Sequence, residues 1–224
     1  MKNSYIAAGV VILAVILGFI FANKGVEAPV KNLVDTKVAT SSISFSDGSY
    51  ELNTASSSLS WRGEYLKGLA EEGTVNILSG NFVVSKNKIE GGKFVIDMNS
   101  IESIPHKDKL VNHLKSNDFF GVEEFPTATF VLKDVISSQK AGFESGKSVV
   151  NGDLTVKGIT KPISFFATIT GEEDNLHAVA SFSINRSDWD IKYNSQTFFS
   201  NLGDKIINDI VTIGLDLKAQ KVIQ

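Results

Sequence analysis

The chain of 224 residues contains no cysteine. That excludes disulfides, thiolate metal sites, a cysteine nucleophile and a lipid-modified N-terminal cysteine, and it leaves the redox compartment open. Histidine is scarce, with three in all. His106 and His113 are seven residues apart, so on one helix they would be separated by about 10.5 Å of rise. A shared metal ion needs both nitrogens at about 2 Å, so the pair does not chelate, and His177 stands alone in a strand pattern. A basic excess is also absent, since the formal charge is −3 and the pI about 5.7. The electrostatic footprint of a nucleic-acid binder is therefore missing. There is no Gly-x-Ser-x-Gly elbow, no phosphate loop and no carboxylate pair set in an apolar run, so no catalytic residues are assigned.

The chain does have one long apolar segment, residues 5–22, with Lys2 before it and Lys24 after it. Eighteen helical residues rise about 27 Å, close to the roughly 30 Å of a bilayer core. The run exceeds a usual signal-peptide core, and Ile20 stands where a small residue would be wanted before cleavage after Ala22. Residues 1–23 are therefore expected to be a retained transmembrane helix in a bacterial cell membrane, single-pass, with secretion after cleavage as the alternative. Lys2 places the N-terminus inside and the rest of the chain outside the cytoplasm, in the periplasm or at the cell surface. Residues 24–46 have no sustained period and read as a flexible linker spanning on the order of 25–30 Å.

From residue 47 to 224 the sequence alternates apolar and polar residues between glycine-containing turns. Leu59, Trp61, Gly63 and Tyr65 share one face. Val75 and Ile77 precede Ser79-Gly80-Asn81, which reads as a turn before Phe82, and Asn87 to Gly92 reads as a second turn before Phe94, Ile96 and Met98. Further strands carry Ala128 and Phe130, Val150 and Leu154, Ile163 and Phe165, Phe182 and Ile184, and finally Val211 to Leu217. At least eight strands with one apolar face each must close or pack as two sheets. One helical exception interrupts them: Leu110, Val111 and Leu114 sit at helical spacing, followed by the adjacent pair Phe119 and Phe120. Asp118 reads as the N-cap of that corner. His113 is either a base beside Ser116 or Asp118, or a residue packed against the barrel.

Three word-like stretches then add a resemblance. His113–Phe130 (HLKSNDFFGVEEFPTATF), Asn151–Ile163 (NGDLTVKGITKPI) and Phe182–Ser195 (FSINRSDWDIKYNS) resemble, in order and spacing, the motifs of the YceI-like, polyisoprenoid-binding family. Phe198–Ile213 is similar to the membrane-tethered or secreted branch of that family. The resemblance implies an all-β fold, an eight-stranded antiparallel lipocalin-like barrel with a short helical insertion, and an apolar channel for an isoprenoid or other long-chain lipid, with no further cofactor. Two departures stand out. Lys67–Gly73 is acidic where many relatives carry a small residue and histidine, and Asp190 stands where many carry glycine.

The candidate ligand-binding residues are Trp61, Phe94, Phe119, Phe120, Phe130, Phe165, Phe182, Arg186 and Trp189. Arg186 is either a head-group contact or half of an ion pair with Asp188 or Asp204. Alternatives to lipid binding are a surface or scaffold β-domain with a filled core, or a lipocalin-like enzyme using His113. The sequence leaves a homodimer open.

Overall fold

The structure, a computed structural model, describes residues 45–65, 68–137, 146–200 and 206–223. The expected membrane helix and almost all of the linker lie outside the described residues. The described residues belong to the compact unit Ser41–Gln224. It consists of β1 (Gly48–Leu52), β2 (Ser58–Tyr65), β3 (Ala70–Ser85), β4 (Lys88–Ser103), α1 (Asp108–Lys115), β5 (Thr127–Ser137), β6 (Ser148–Val156), β7 (Ile159–Glu172), β8 (Asn175–Asn185), a 3₁₀ turn (Arg186–Trp189) and β9 (Ile207–Lys221).

Nine strands occupy eight positions around a closed antiparallel barrel. β1 and β2 share one position, each paired with both β3 and β9 at different heights. The residues between them leave the sheet, and side chains take over part of the ladder. Lys218 donates its backbone N–H to Ser57 Oγ at 2.9 Å, and Asn53 donates to the Lys218 carbonyl at 2.8 Å. First and last strands thus meet without an open edge.

Short turns connect the hairpins where residues tolerate positive φ. Lys86 and Asn87 (φ 51° and 59°) form the two-residue link of β3 to β4, and Lys157 and Gly158 (φ 50° and 70°) link β6 to β7. Such paired left-handed residues match the twist of the strands they join.

The turn expected at Ser79–Asn81 is instead inside a long strand, and the one expected over Asn87 to Gly92 is confined to Asn87 and the preceding Lys86. β3 runs unbroken through Ser79-Gly80-Asn81, and β4 begins at Lys88, ahead of Gly91 and Gly92. The β3–β4 register shifts between Ile77 and Ser79 and again between Val83 and Val84. The first is a bulge in β3 that changes which parity of that strand faces inward, and the second is a bulge in β4. Val75 and Ile77 are buried before the first shift, and Gly80, Phe82 and Val84 after it. The glycines serve close approach: a Cβ on Gly80 would lie 2.6 Å from the Phe94 ring, and one on Gly92 would lie 2.3 Å from the Asn81 carbonyl.

The helix between β4 and β5 has eight residues, too few to be stable alone, and it is held by packing of Val111 and Leu114. Its dipole is complemented by Asp108 in the first turn and by His113 and Lys115 in the last. Beyond Lys115 the chain folds back on itself. Phe120 N–H donates to the Leu114 carbonyl at 3.1 Å, Gly121 N–H to Ser116 at 2.8 Å and Val122 N–H to Lys115 at 2.9 Å. These carbonyls do the work expected of Asp118, whose carboxylate lies 3.1 Å from His113 Nε2 instead.

Two apolar clusters line the barrel. One, near Tyr50, Phe82, Val84 and Leu176, closes one end; the other, under α1 with Ile101, Leu114, Phe119 and Val122, lies toward the opposite end. Gly73 marks how closely the second is packed, since a Cβ there would stand 1.7 Å from the Glu102 carbonyl. A Cβ on Gly63, by contrast, would meet nothing within 4 Å. Gly73→Ala is expected to destabilise the fold by about 1–3 kcal/mol, the usual cost of overpacking. Gly63→Ala is expected to leave stability nearly unchanged, and denaturant midpoints of the two variants check the contrast.

Candidate functional site

The inward-facing residues enclose a cavity of about 310 Å³. Its wall is apolar throughout except for three charged residues, Glu64, Glu71 and Arg186. All nine residues singled out in the sequence lie on this wall. They fall into two groups.

Phe94, Phe130, Phe165 and Phe182 form a belt of rings around the inside. Successive centroids are 6.3, 5.9 and 4.0 Å apart, and the last pair is stacked within 11° of parallel. Phe82 extends the belt, 6.5 Å from Phe94, and Tyr50 stacks on Phe82 at 5.2 Å. The bulge before Gly80 resembles a turn and hides the inward placement of Phe82, whereas Tyr50 follows the plain alternation of β1 with Leu52. Small residues opposite make room for the rings. The Phe130 ring tip lies 2.4 Å from where a Cβ on Gly152 would be.

Trp61, Phe119, Phe120, Trp189 and Arg186 are at the end covered by α1 and the 3₁₀ turn. Both indoles turn an apolar face to the cavity, because their N–H groups are satisfied behind it. Trp61 Nε1 donates to the Glu102 carbonyl and Trp189 Nε1 to the Leu154 carbonyl, each at 3.1 Å. Phe119 is buried and Phe120 half-buried, and both reach the cavity wall. Phe119 also contacts a small aromatic cluster: His113 sits edge-on to Phe119 and to Tyr193, with centroids 5.0 and 4.4 Å away. His113 is thus a packing residue in this arrangement, and Ser116 Oγ donates to its backbone carbonyl at 2.7 Å.

Arg186 is 4% exposed and its donors turn toward the protein. Nε donates to the Asn208 carbonyl, Nη1 to Ile191 and Nη2 to Ile207, at 3.1 to 3.2 Å. The paired carboxylate is Asp209, 3.0 Å from Nη2. Asp188 is not the partner, and Asp204 lies outside the described residues. Asp209 Oδ1 is off the N–H direction and makes no aligned hydrogen bond, so charge rather than directional bonding holds the pair. Its Oδ2 accepts from Ser195 Oγ and Thr197 Oγ1 at 2.7 and 2.6 Å. Burial pushes the guanidinium pKa down and Asp209 pushes it back up. Arg186 therefore stitches the 3₁₀ turn, the segment after it and β9 together, while its stem borders the cavity. A head-group contact would have to displace one of these bonds. Alternation could not have found Asp209, whose role depends on where β9 comes to rest.

The cavity reaches solvent at the β2–β3 end, where its lining residues Glu64, Tyr65 and Glu71 are exposed or half-buried. Three charge clusters surround that opening. Arg62 pairs with Glu64 and Glu72, Lys107 Nζ lies 2.6 Å from Glu71, and His106 bridges Glu102 and Asp108. Among the described residues no cluster of three or more metal-ligating side chains is present.

The YceI-like domain family matches residues 50–219, nearly the whole barrel. The chain belongs to the YceI-like family. A UPF0312 protein of Vibrio vulnificus is 33% identical over 174 residues, covering 76% of each chain. UPF0312 proteins of Pseudomonas putida are 32% identical over 112 residues, covering 50% of this chain and 56% of theirs, so the match spans about half their length. Among solved structures, BcnA of Burkholderia cenocepacia shares the fold with a TM-score of 0.62 at 19% identity, covering 75% of this chain and 98% of that one. A polyisoprenoid binding domain from Saccharophagus degradans aligns with a TM-score of 0.59 at 16% identity, covering 77% and 98%.

Asp190 ends the 3₁₀ turn in the left-handed region at φ 59°, ψ 27°. Aspartate is among the few residues that adopt this conformation at modest cost. The three motifs map onto architecture: the first forms the end of α1, its corner and the start of β5, the second the β6–β7 hairpin, the third the end of β8 and the Arg186 turn.

Two outcomes are expected. Asp209→Ala leaves Arg186 buried without its carboxylate and is expected to cost about 3–5 kcal/mol in denaturant unfolding. His106 is held above its ordinary pKa of 6.5 by hydrogen bonds to Asp108 and Glu102. A raised folded-state pKa stabilises fully below the unfolded value, and that contribution is lost as pH rises through the folded value. An NMR titration of His106 is expected to give a pKa above 6.5, and His106→Gln to remove this part of the pH dependence.

Proposed function

We propose that the chain binds a long apolar lipid of the isoprenoid type in its barrel cavity, without chemical conversion, and works outside the cytoplasm while tethered to a bacterial membrane by residues 5–22. The observation that carries the reading is the cavity wall, apolar but for three charged residues. At about 310 Å³ it stands at the lower end of the roughly 300–1,000 Å³ of ligand clefts. An apolar void of this kind stays dry, so an apolar chain entering it displaces little bound water. Each buried methylene contributes about 0.8 kcal/mol, enough for tight binding without polar contacts.

The family and its neighbours support the same reading. The Saccharophagus degradans domain of like fold is a polyisoprenoid binding domain. The void itself weighs against a solid scaffold barrel, and the engagement of His113 in packing weighs against its use as a catalytic base. The extracytoplasmic site of action rests on the apolar run, its length and the position of Lys2.

Organic extraction of the purified full-length chain followed by mass spectrometry tests the reading. A co-purifying lipid with a long apolar chain is the expected result, and it is expected to disappear in Phe120→Asp while that variant keeps its circular dichroism spectrum. An empty extract, together with no uptake of supplied isoprenoids, would contradict it. Protease accessibility of the barrel in intact spheroplasts tests the location.

A further inference from the structure

Glu71 is a charged side chain on a strand face that is otherwise apolar. It is paired in register with Gly63, and Trp61 with Gly73, so it shares the parity of the inward-facing Gly73, Val75 and Ile77. It sits at the open end of the cavity. The space beside it is free, since a Cβ on the opposite Gly63 would meet nothing within 4 Å. The side chain is 23% exposed, and Lys107 engages its Oε2 at 2.6 Å.

Among the described residues, Lys107, Arg62 and Arg186 near this opening are already committed. Lys107 holds Glu71, Arg62 holds Glu64 and Glu72, and Arg186 holds Asp209 behind the wall. Among the described residues no lysine lines the cavity, and of its two acidic lining residues only Glu71 has the inward parity, Glu64 pairing outward with Arg62. An anionic head group arriving here would face the Glu71 carboxylate, and like charges repel. A hydroxyl head group meets the opposite situation. An ionised carboxylate is an acceptor with about four lone-pair sites, and a hydroxyl can donate to one while Lys107 retains another.

We propose that Glu71 is the head-group determinant of the cavity, accepting a hydrogen bond from an uncharged hydroxyl head group and disfavouring a phosphate ester. The inference rests on the lipid-binding reading above and adds the class of head group to it.

The chain carries two tryptophans, Trp61 and Trp189, and both line the cavity, so intrinsic fluorescence reports its occupancy. The full-length chain is titrated with a polyprenol, with the monophosphate of the same polyprenol and with the parent hydrocarbon. The polyprenol is expected to bind about tenfold or more tighter than its monophosphate. Glu71→Gln removes the charge and releases Lys107, so the ratio is expected to collapse toward one or invert. Lys107→Met leaves Glu71 without its partner, and the ratio is expected to widen. Equal or tighter binding of the monophosphate by the native chain, or a ratio unmoved by Glu71→Gln, would overturn the inference and leave the lipid-binding reading standing. If none of the three compounds binds, that reading falls and the inference with it.

Discussion

Closure of the sheet between its first and last strands governs everything else in this molecule. β9 pairs with β1 at one height and with β2 at another, and the Ser57–Lys218 exchange bridges the gap between them. Without that junction β3 and β9 would each present an unpaired edge, and the apolar faces would have no interior to enclose. With it, eight positions surround a space just wide enough to be filled by side chains or to hold one ligand. Which of these occurs is then a matter of side-chain size. Here Ala128, Ala167, Ala178 and Ala180 alternate with phenylalanines, and the rings line the wall without filling the centre.

The ends of the barrel are treated differently, and the difference gives the cavity its polarity. One end is closed by fully buried Tyr50, whose hydroxyl donates to the Ser46 carbonyl at 2.9 Å. The other is covered by α1 and the turn that Arg186 anchors. That arginine sits in a costly position, since a buried charge is tolerated only when paired and hydrogen-bonded. Three backbone carbonyls and Asp209 meet that requirement. The consequence is that the cover is rigid on the Arg186 side, while the exposed ion pairs Arg62–Glu72 and Lys107–Glu71 on the other side are individually weak.

Much of this was legible in the sequence, for reasons that differ by element. Alternation identified the strands and their inward faces, because a period of two is imposed wherever one face is buried. Helical spacing located α1, and the aromatic positions named in advance all reach one cavity. The failures cluster where tertiary contacts override local signals. Ser79-Gly80-Asn81 has the composition of a turn, yet Gly80 is there because the Phe94 ring and Leu52 approach its backbone. The bulge that precedes it reversed the alternation and hid Phe82 from the inward set, while Tyr50, in plain alternation with Leu52, was passed over. Asp118 has the composition of a cap, but carbonyls from α1 reach the same N–H groups first. Asp209 had no local signal at all. Glu71 had one that was passed over: it shares the parity of Val75 and Ile77, so its inward placement follows from alternation alone.

The account reduces to one physical claim, that an apolar void inside a closed barrel captures an apolar chain by burial, with polar groups confined to the opening. Affinity should then grow with chain length until the void is full. Titration of the full-length chain with isoprenoid alcohols of increasing length, followed by the fluorescence of Trp61 and Trp189, measures this directly. The predicted result is roughly tenfold tighter binding for each two additional buried methylene equivalents, followed by a plateau. An affinity independent of chain length, or no saturable change in fluorescence at any length, would contradict it.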